Sequence, residues 1–129
     1  VHVAGVPMAD VPAYYACADL HLFPSLADAW VVTVQEAMLC GVPTLCSVHA
    51  GCADDLVRDG IDGLLFDPAT PQSLLEGLRS ALTRDDLRAL GERASAAAIS
   101  FTPERLADAF RVAVARVPCG VPGHRRAAT

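Results

Sequence analysis

Apolar and polar positions alternate in short blocks along this chain, and the period of the blocks changes repeatedly. Residues 1–5 (VHVAG) alternate and predict a short strand. Residues 19–23 (DLHLF) predict a second strand, closed by Pro24-Ser25. Residues 44–47 (TLCS) and 63–66 (GLLF) are apolar runs of strand length. Helical segments lie between them. Asp10-Val-Pro12 reads as a helix start running to about Ala18, because Asp can cap free amides and Pro is tolerated in a first turn. Residues 32–40 predict a helix stopped by Gly41 and Pro43, and residues 54–59 a short one ending at Gly60. Beyond residue 66 the pattern is helical. Thr70-Pro71 opens a helix with Leu74, Leu75 and Leu78 on one face. Thr83 and Asp86 have the spacing of a capping box for the next. Thr102-Pro103-Glu104 opens a third, with Leu106, Phe110 and Val114 at helical spacing. Residues 118–129 (PCGVPGHRRAAT) read as a frayed tail.

Short strands alternating with helices predict an α/β fold, a Rossmann-like parallel sheet with helices on both faces. Ligands in such folds bind beyond the carboxyl ends of the strands. The loops to search are residues 6–11, 24–31 and 47–53. A chain of 129 residues suffices for one domain, here residues 1–117. No internal repeat is evident.

Composition narrows the function classes. Hydrophobic residues make up 53% and charged residues 19%, a globular balance. The longest apolar-looking stretch, residues 37–53, contains Gly41, Pro43, Ser47 and His49 and does not read as a membrane span. No basic start followed by an apolar run marks a signal peptide. The chain opens on Val1 rather than Met, so a longer parent protein is expected. Five cysteines, with no CxxC pair, read as reduced and mostly buried, in keeping with a cytoplasmic location. The net charge of −5 argues against nucleic acid as a partner. All ten cations are arginines and the first is Arg58. An anion bound by residues 1–57 must therefore rely on backbone amides, or on cations from elsewhere.

Asp28 lies in the loop 24–31, and Glu36 follows on the helix behind it. Two carboxylates so placed bracket a helix amino end, whose free N–H groups and partial positive charge suit an anion. A diphosphate on the amides near residues 31–34 would leave one carboxylate for sugar hydroxyls and the other for a ribose cis-diol. The Thr33 hydroxyl adds a donor. On spacing alone a blander reading stands beside this one: Asp28 caps the helix and Glu36 is a solvated helix residue.

The residues around the pair add a family likeness. The run PSLADAWVVTVQEAMLCGVPTLCS, residues 24–47, resembles the donor-site signature of GT4-type retaining glycosyltransferases of GT-B fold. Their loop acid and helix acid fall on Asp28 and Glu36. Gly51-Cys52-Ala53 with Asp55-Leu56-Val57, and Asp59-Gly60 with Gly63-Leu64-Leu65, follow in register. The resemblance covers roughly residues 1–117 and implies a nucleotide-sugar-binding C-terminal domain, incomplete at its N-terminal side. It assigns the donor ribose to Glu36 and hydroxyls of the transferred sugar to Asp28. It lines sugar and phosphate with the backbone of Ala29, Trp30 and Val31, and seats the diphosphate on the helix from Val32, beside Thr33. It implies no cofactor and no metal. The partners it implies are a nucleoside-diphosphate sugar and an acceptor (sugar, lipid or other) held by a separate N-terminal domain. Peripheral membrane association of the parent is compatible with it.

The sequence departs from the family pattern at three positions. Asp28 stands where Glu is usual, retracting the carboxylate by about 1.5 Å, one C–C bond. Ala29 and Val31 stand where small residues or glycine are common, and a β-branched Val31 is expected to hinder close approach of backbone to ligand. The family's opening strand–helix–strand, with its basic diphosphate elements, has no counterpart. Apolar surface is therefore expected beside the 19–23 strand. These departures keep a second reading alive, a degenerate, non-catalytic nucleotide-sugar-binding module. A sugar-nucleotide epimerase of similar fold fits the E-A-M helix and its loop acid less well. Among other residues, Trp30 reads equally as a sugar-stacking ring or a loop plug. His49 and His21 read as structural or surface residues, Asp54 and Asp55 as helix caps, and Gly51 as serving loop geometry. Arg125-Arg126 is a charge pair in the tail without an assigned role.

Overall fold

The computed structural model describes residues 2–116. A 3-10 turn at Met8–Asp10 leads into α1 (Val11–Ala16), then β1 (His21–Phe23), α2 (Val32–Leu39), β2 (Thr44–Ser47) and α3 (Ala53–Leu56). After β3 (Leu64–Phe66) come α4 (Pro71–Leu82), α5 (Leu87–Ala98) and α6 (Pro103–Arg116). The strands form a parallel sheet in the order β1-β2-β3. Parallel pairing forces each connection to cross over, and the helices supply the crossovers.

The ladder register sorts the side chains onto two faces. Phe23, Cys46 and Leu65 align across the strands and pack against Val34 and Met38 of α2, Ala53 and Leu56 of α3, and Ala94 and Ala98 of α5. Leu45 and Leu64 align on the opposite face and, with Phe66, meet Leu74, Leu78 and Ala81 of α4 and Leu90. All of β2 is buried, because it has a strand on either side and helices above and below. Gly91 lets α5 lie against the end of α2. A Cβ there would sit 2.1 Å from the Gly41 carbonyl oxygen. Beside β3, the buried Asp62 carboxylate accepts hydrogen bonds of 2.6 Å from both the backbone N–H and the Nε–H of Arg58. Asp59 accepts from the Leu65 N–H at 2.9 Å and so pins the turn before β3.

Several sequence expectations need correcting. The strand at residues 1–5 does not form: residues 2–7 carry no regular structure. An extended segment becomes a strand only by sharing a ladder, and β1 pairs with β2 alone. The outer edge of β1 instead borders an apolar groove of about 370 Å³ lined by Val3, Val6, Tyr14, Leu20 and Leu22. Leu75 points outward, while Leu74 and Leu78 face the sheet. The helix after Thr83 begins only at Leu87, and the Asp86 carboxylate binds Arg84 and Arg93 rather than a helix amide. Asp54 and Asp55 stand in the first turn of α3, whose cap, Cys52, makes no side-chain bond. Cys46 and Cys52 are buried as expected, but Cys17 and Cys40 are exposed. Cys119 and the tail 118–129 lie outside the described residues. No helix among the described residues is long and apolar enough to cross a membrane.

Candidate functional site

The loop from β1 to α2 emerges at the carboxyl end of the sheet and is fastened to the loop after β2. Asp28 and Ala50 form a parallel bridge, and the Gly51 N–H donates to the Asp28 carbonyl at 2.8 Å. The two backbones come so close that a Cβ on Gly51 would lie 1.9 Å from the Ala29 carbonyl oxygen. Glycine is the residue that permits this approach. The Gly51 amide is thus spent on the loop itself and does not face a ligand.

The candidate residues divide by what holds them. The Asp28 side chain is exposed, and its Oδ1 accepts the Trp30 N–H at 3.1 Å, an Asx-type turn rather than a helix cap. Ala29 is exposed on the same turn. Trp30 is 42% exposed, its ring 6.5 Å from that of Phe101, on a cavity of about 640 Å³ shared with Gln35, Asp55 and Arg105. Val31 is only 5% exposed, its side chain among Val34, Cys46 and Cys52 in the core. Its φ of −99° is ordinary for a β-branched residue. The expected obstruction by Val31 is therefore absent: its bulk points into the core.

Val31 is also the cap position of α2, and a valine offers no oxygen to cap with. No side chain caps this helix start. The N–H groups of the first turn, which includes the exposed Val32 and Thr33, are left for another acceptor. The macrodipole adds partial positive charge there. Glu36, half-buried one turn further on, is gripped from the other direction: the Tyr15 hydroxyl of α1 donates to its Oε2 at 3.2 Å and lies 3.3 Å from the Thr33 carbonyl. Burial, the hydrogen bond to Glu36 and its negative charge push the Tyr15 pKa up to about 12. The His21 ring meets Tyr15 edge-on at 6.0 Å, and burial pushes the His21 pKa down. Asp28 and Glu36 thus hold different neighbours, with the uncapped helix start between them in sequence.

Sequence reasoning missed Tyr15. The signal was available: an aromatic residue with a polar tip on the helix that precedes the edge strand. His49 lies in the loop after β2, but its Nε2 is paired with Asp67 Oδ1 at 3.3 Å. Among the described arginines, Arg58 pairs with Asp62, Arg84 and Arg93 pair with Asp86, and Arg105 lies over the Phe101 ring at 5.3 Å on the cavity that Trp30 borders.

The model of the family "Glycosyl transferases group 1" matches residues 1–97 of the chain. The chain belongs to this family. D-inositol 3-phosphate glycosyltransferase of Geodermatophilus obscurus is 31% identical over 97 residues, covering 75% of this chain and 21% of that protein. Sucrose synthase 4 of Oryza sativa is 41% identical over 61 residues, 45% of this chain and 7% of that protein. Among solved structures, sucrose-phosphate synthase of Thermosynechococcus elongatus superposes with a TM-score of 0.73 at 23% identity, over 88% of this chain and 30% of that one. HepE of Anabaena, solved in complex with UDP-glucose, gives 0.70 at 25% identity, over 82% and 30%. The fold is that of part of a GT-B glycosyltransferase, and the chain spans about a fifth of the first of these relatives.

Proposed function

We propose that this chain is the donor-binding half of a longer retaining glycosyltransferase, which moves a sugar from a nucleoside-diphosphate sugar to an acceptor. The observation that carries the reading is the uncapped start of α2 between Asp28 and Glu36, within the matched family region. In this reading the diphosphate lies on the free amides of the first turn, where helix amides and dipole stabilise the departing charge without a metal or cofactor. The Thr33 hydroxyl adds one donor. Glu36 accepts the ribose hydroxyls, and Asp28 contacts the sugar alongside Ala29 and Trp30. Val31 contributes backbone only. The acceptor, and the cations that complete diphosphate binding, come from the rest of the parent protein. HepE, whose structure holds UDP-glucose, supports a nucleotide sugar as the ligand.

A second reading, donor binding without transfer, draws support from Asp28, whose Oδ1 is already engaged by its own loop. Sugar transfer by the complete protein discriminates the two. The donor site itself is tested by titrating the complete protein with UDP. Glu36→Ala removes charge-assisted hydrogen bonds worth about 1.5–3 kcal/mol, a loss of roughly 10–100-fold in affinity. Undiminished UDP binding by Glu36→Ala would sink the ribose assignment.

A further inference from the structure

We infer that Tyr15 is a positioning residue for the donor ribose, holding the Glu36 carboxylate so that its other oxygen is presented to the cis-diol. The inference rests on the ribose role proposed for Glu36. A glutamate side chain has three rotatable bonds, and ordering it on ligand binding costs rotamer freedom. Here that ordering is done beforehand. The single proton of the Tyr15 hydroxyl lies within reach of two acceptors on the first turns of α2, Glu36 Oε2 at 3.2 Å and the Thr33 carbonyl at 3.3 Å, and the charged carboxylate is the stronger of the two. The ring also meets His21 of β1 in a T-shaped contact, centroids 6.0 Å apart, so the phenol touches the strand as well as the helix. Oε1 accepts no hydrogen bond from the described residues. It is left, with the second lone pair of Oε2, to receive two adjacent hydroxyls. A phenol is protonated throughout the neutral range in any case, and the Tyr15 pKa, pushed up to about 12, keeps it so well into alkaline pH.

This role differs from a merely structural one in what it discriminates. Tyr15→Phe keeps the ring and its packing and removes only the hydroxyl. In the complete protein, UDP affinity should fall about 3–10-fold in Tyr15→Phe, the scale of one side chain's lost preorganisation. Affinity for 2′,3′-dideoxy-UDP, which lacks the diol, should be unchanged. In a Glu36→Ala background the Tyr15→Phe change should add nothing. Equal losses for UDP and its dideoxy analogue, or additive effects of the two substitutions, would make Tyr15 a packing residue and overturn the inference. So would a Tyr15→Phe protein that binds UDP as wild type does while Glu36→Ala does not. If Glu36→Ala itself binds UDP normally, the ribose role falls first and this inference with it.

Discussion

The two halves of the proposed site are supported in opposite ways. The loop proposed to meet the sugar is built into the centre of the molecule. Val31 is buried in the main core, and the Asp28–Ala29 backbone is locked against Gly51 of the next loop. The glutamate proposed to meet the ribose depends on the periphery. Glu36 is held by Tyr15 of α1, a helix with no buried residue, beside the strand edge where Leu22 and Tyr14 are exposed. The loop conformation is thus coupled to global stability. The carboxylate orientation is coupled only to one hydrogen bond at an edge. Damage to the first half should appear as unfolding, and damage to the second as lost affinity in a folded protein.

The strongest way to break this comparison is Gly51→Ala. A methyl group cannot occupy a position 1.9 Å from a backbone oxygen, so the two loops must separate and the Gly51–Asp28 hydrogen bond with them. The expected cost is roughly 2–4 kcal/mol, read as a lower denaturation midpoint, together with weakened donor binding. Wild-type stability in this variant would show that the loops are not locked. Val31→Ala should cost less, about 1–3 kcal/mol from lost burial and a small cavity. Donor affinity should change little, since the side chain faces the core. A large affinity loss at unchanged stability would place that side chain in the site after all.

The smallest effect is expected at alkaline pH. The Tyr15 pKa is raised to about 12, above the ordinary value of 10.0, so the native state retains a proton that the unfolded state releases first. The stabilisation is fully present below the unfolded value and is lost as pH rises through the folded one. Wild type should therefore show a stability decline between about pH 10 and 12 that is missing from Tyr15→Phe. Its tyrosinate absorbance should show a late-titrating group that the variant lacks. Identical alkaline profiles would mean that Tyr15 is not held by Glu36 in solution.

Much of the central body was legible in the chain. The 44–47 and 63–66 strands and the 32–40 helix appear with bounds within a residue of those expected. Each packs against helices through buried residues, so local pattern and tertiary packing demand the same structure. The edges were less legible. Residues 1–5 have a strand pattern, but a strand is a relation between two segments, and no partner stands beside this one among the described residues. Thr83 and Asp86 have the spacing of a capping box, but the Asp86 carboxylate is held by two arginines, one of them about two turns into α5. Asp62, whose burial and pairing with Arg58 organise the turn before β3, carried no pattern of its own.

The sequence by itself determined the alternation of strands and helices, the loop that carries Asp28 and the helix that carries Glu36. Period, turn residues and a 24-residue run shared with a known family are local properties that the chain carries wherever it goes. Only the tertiary structure decided which way Val31 points, why Gly51 must be glycine, and that Tyr15 reaches Glu36. Those facts depend on distances between segments far apart in the chain, and such distances are set by how the sheet packs rather than by any neighbouring residue.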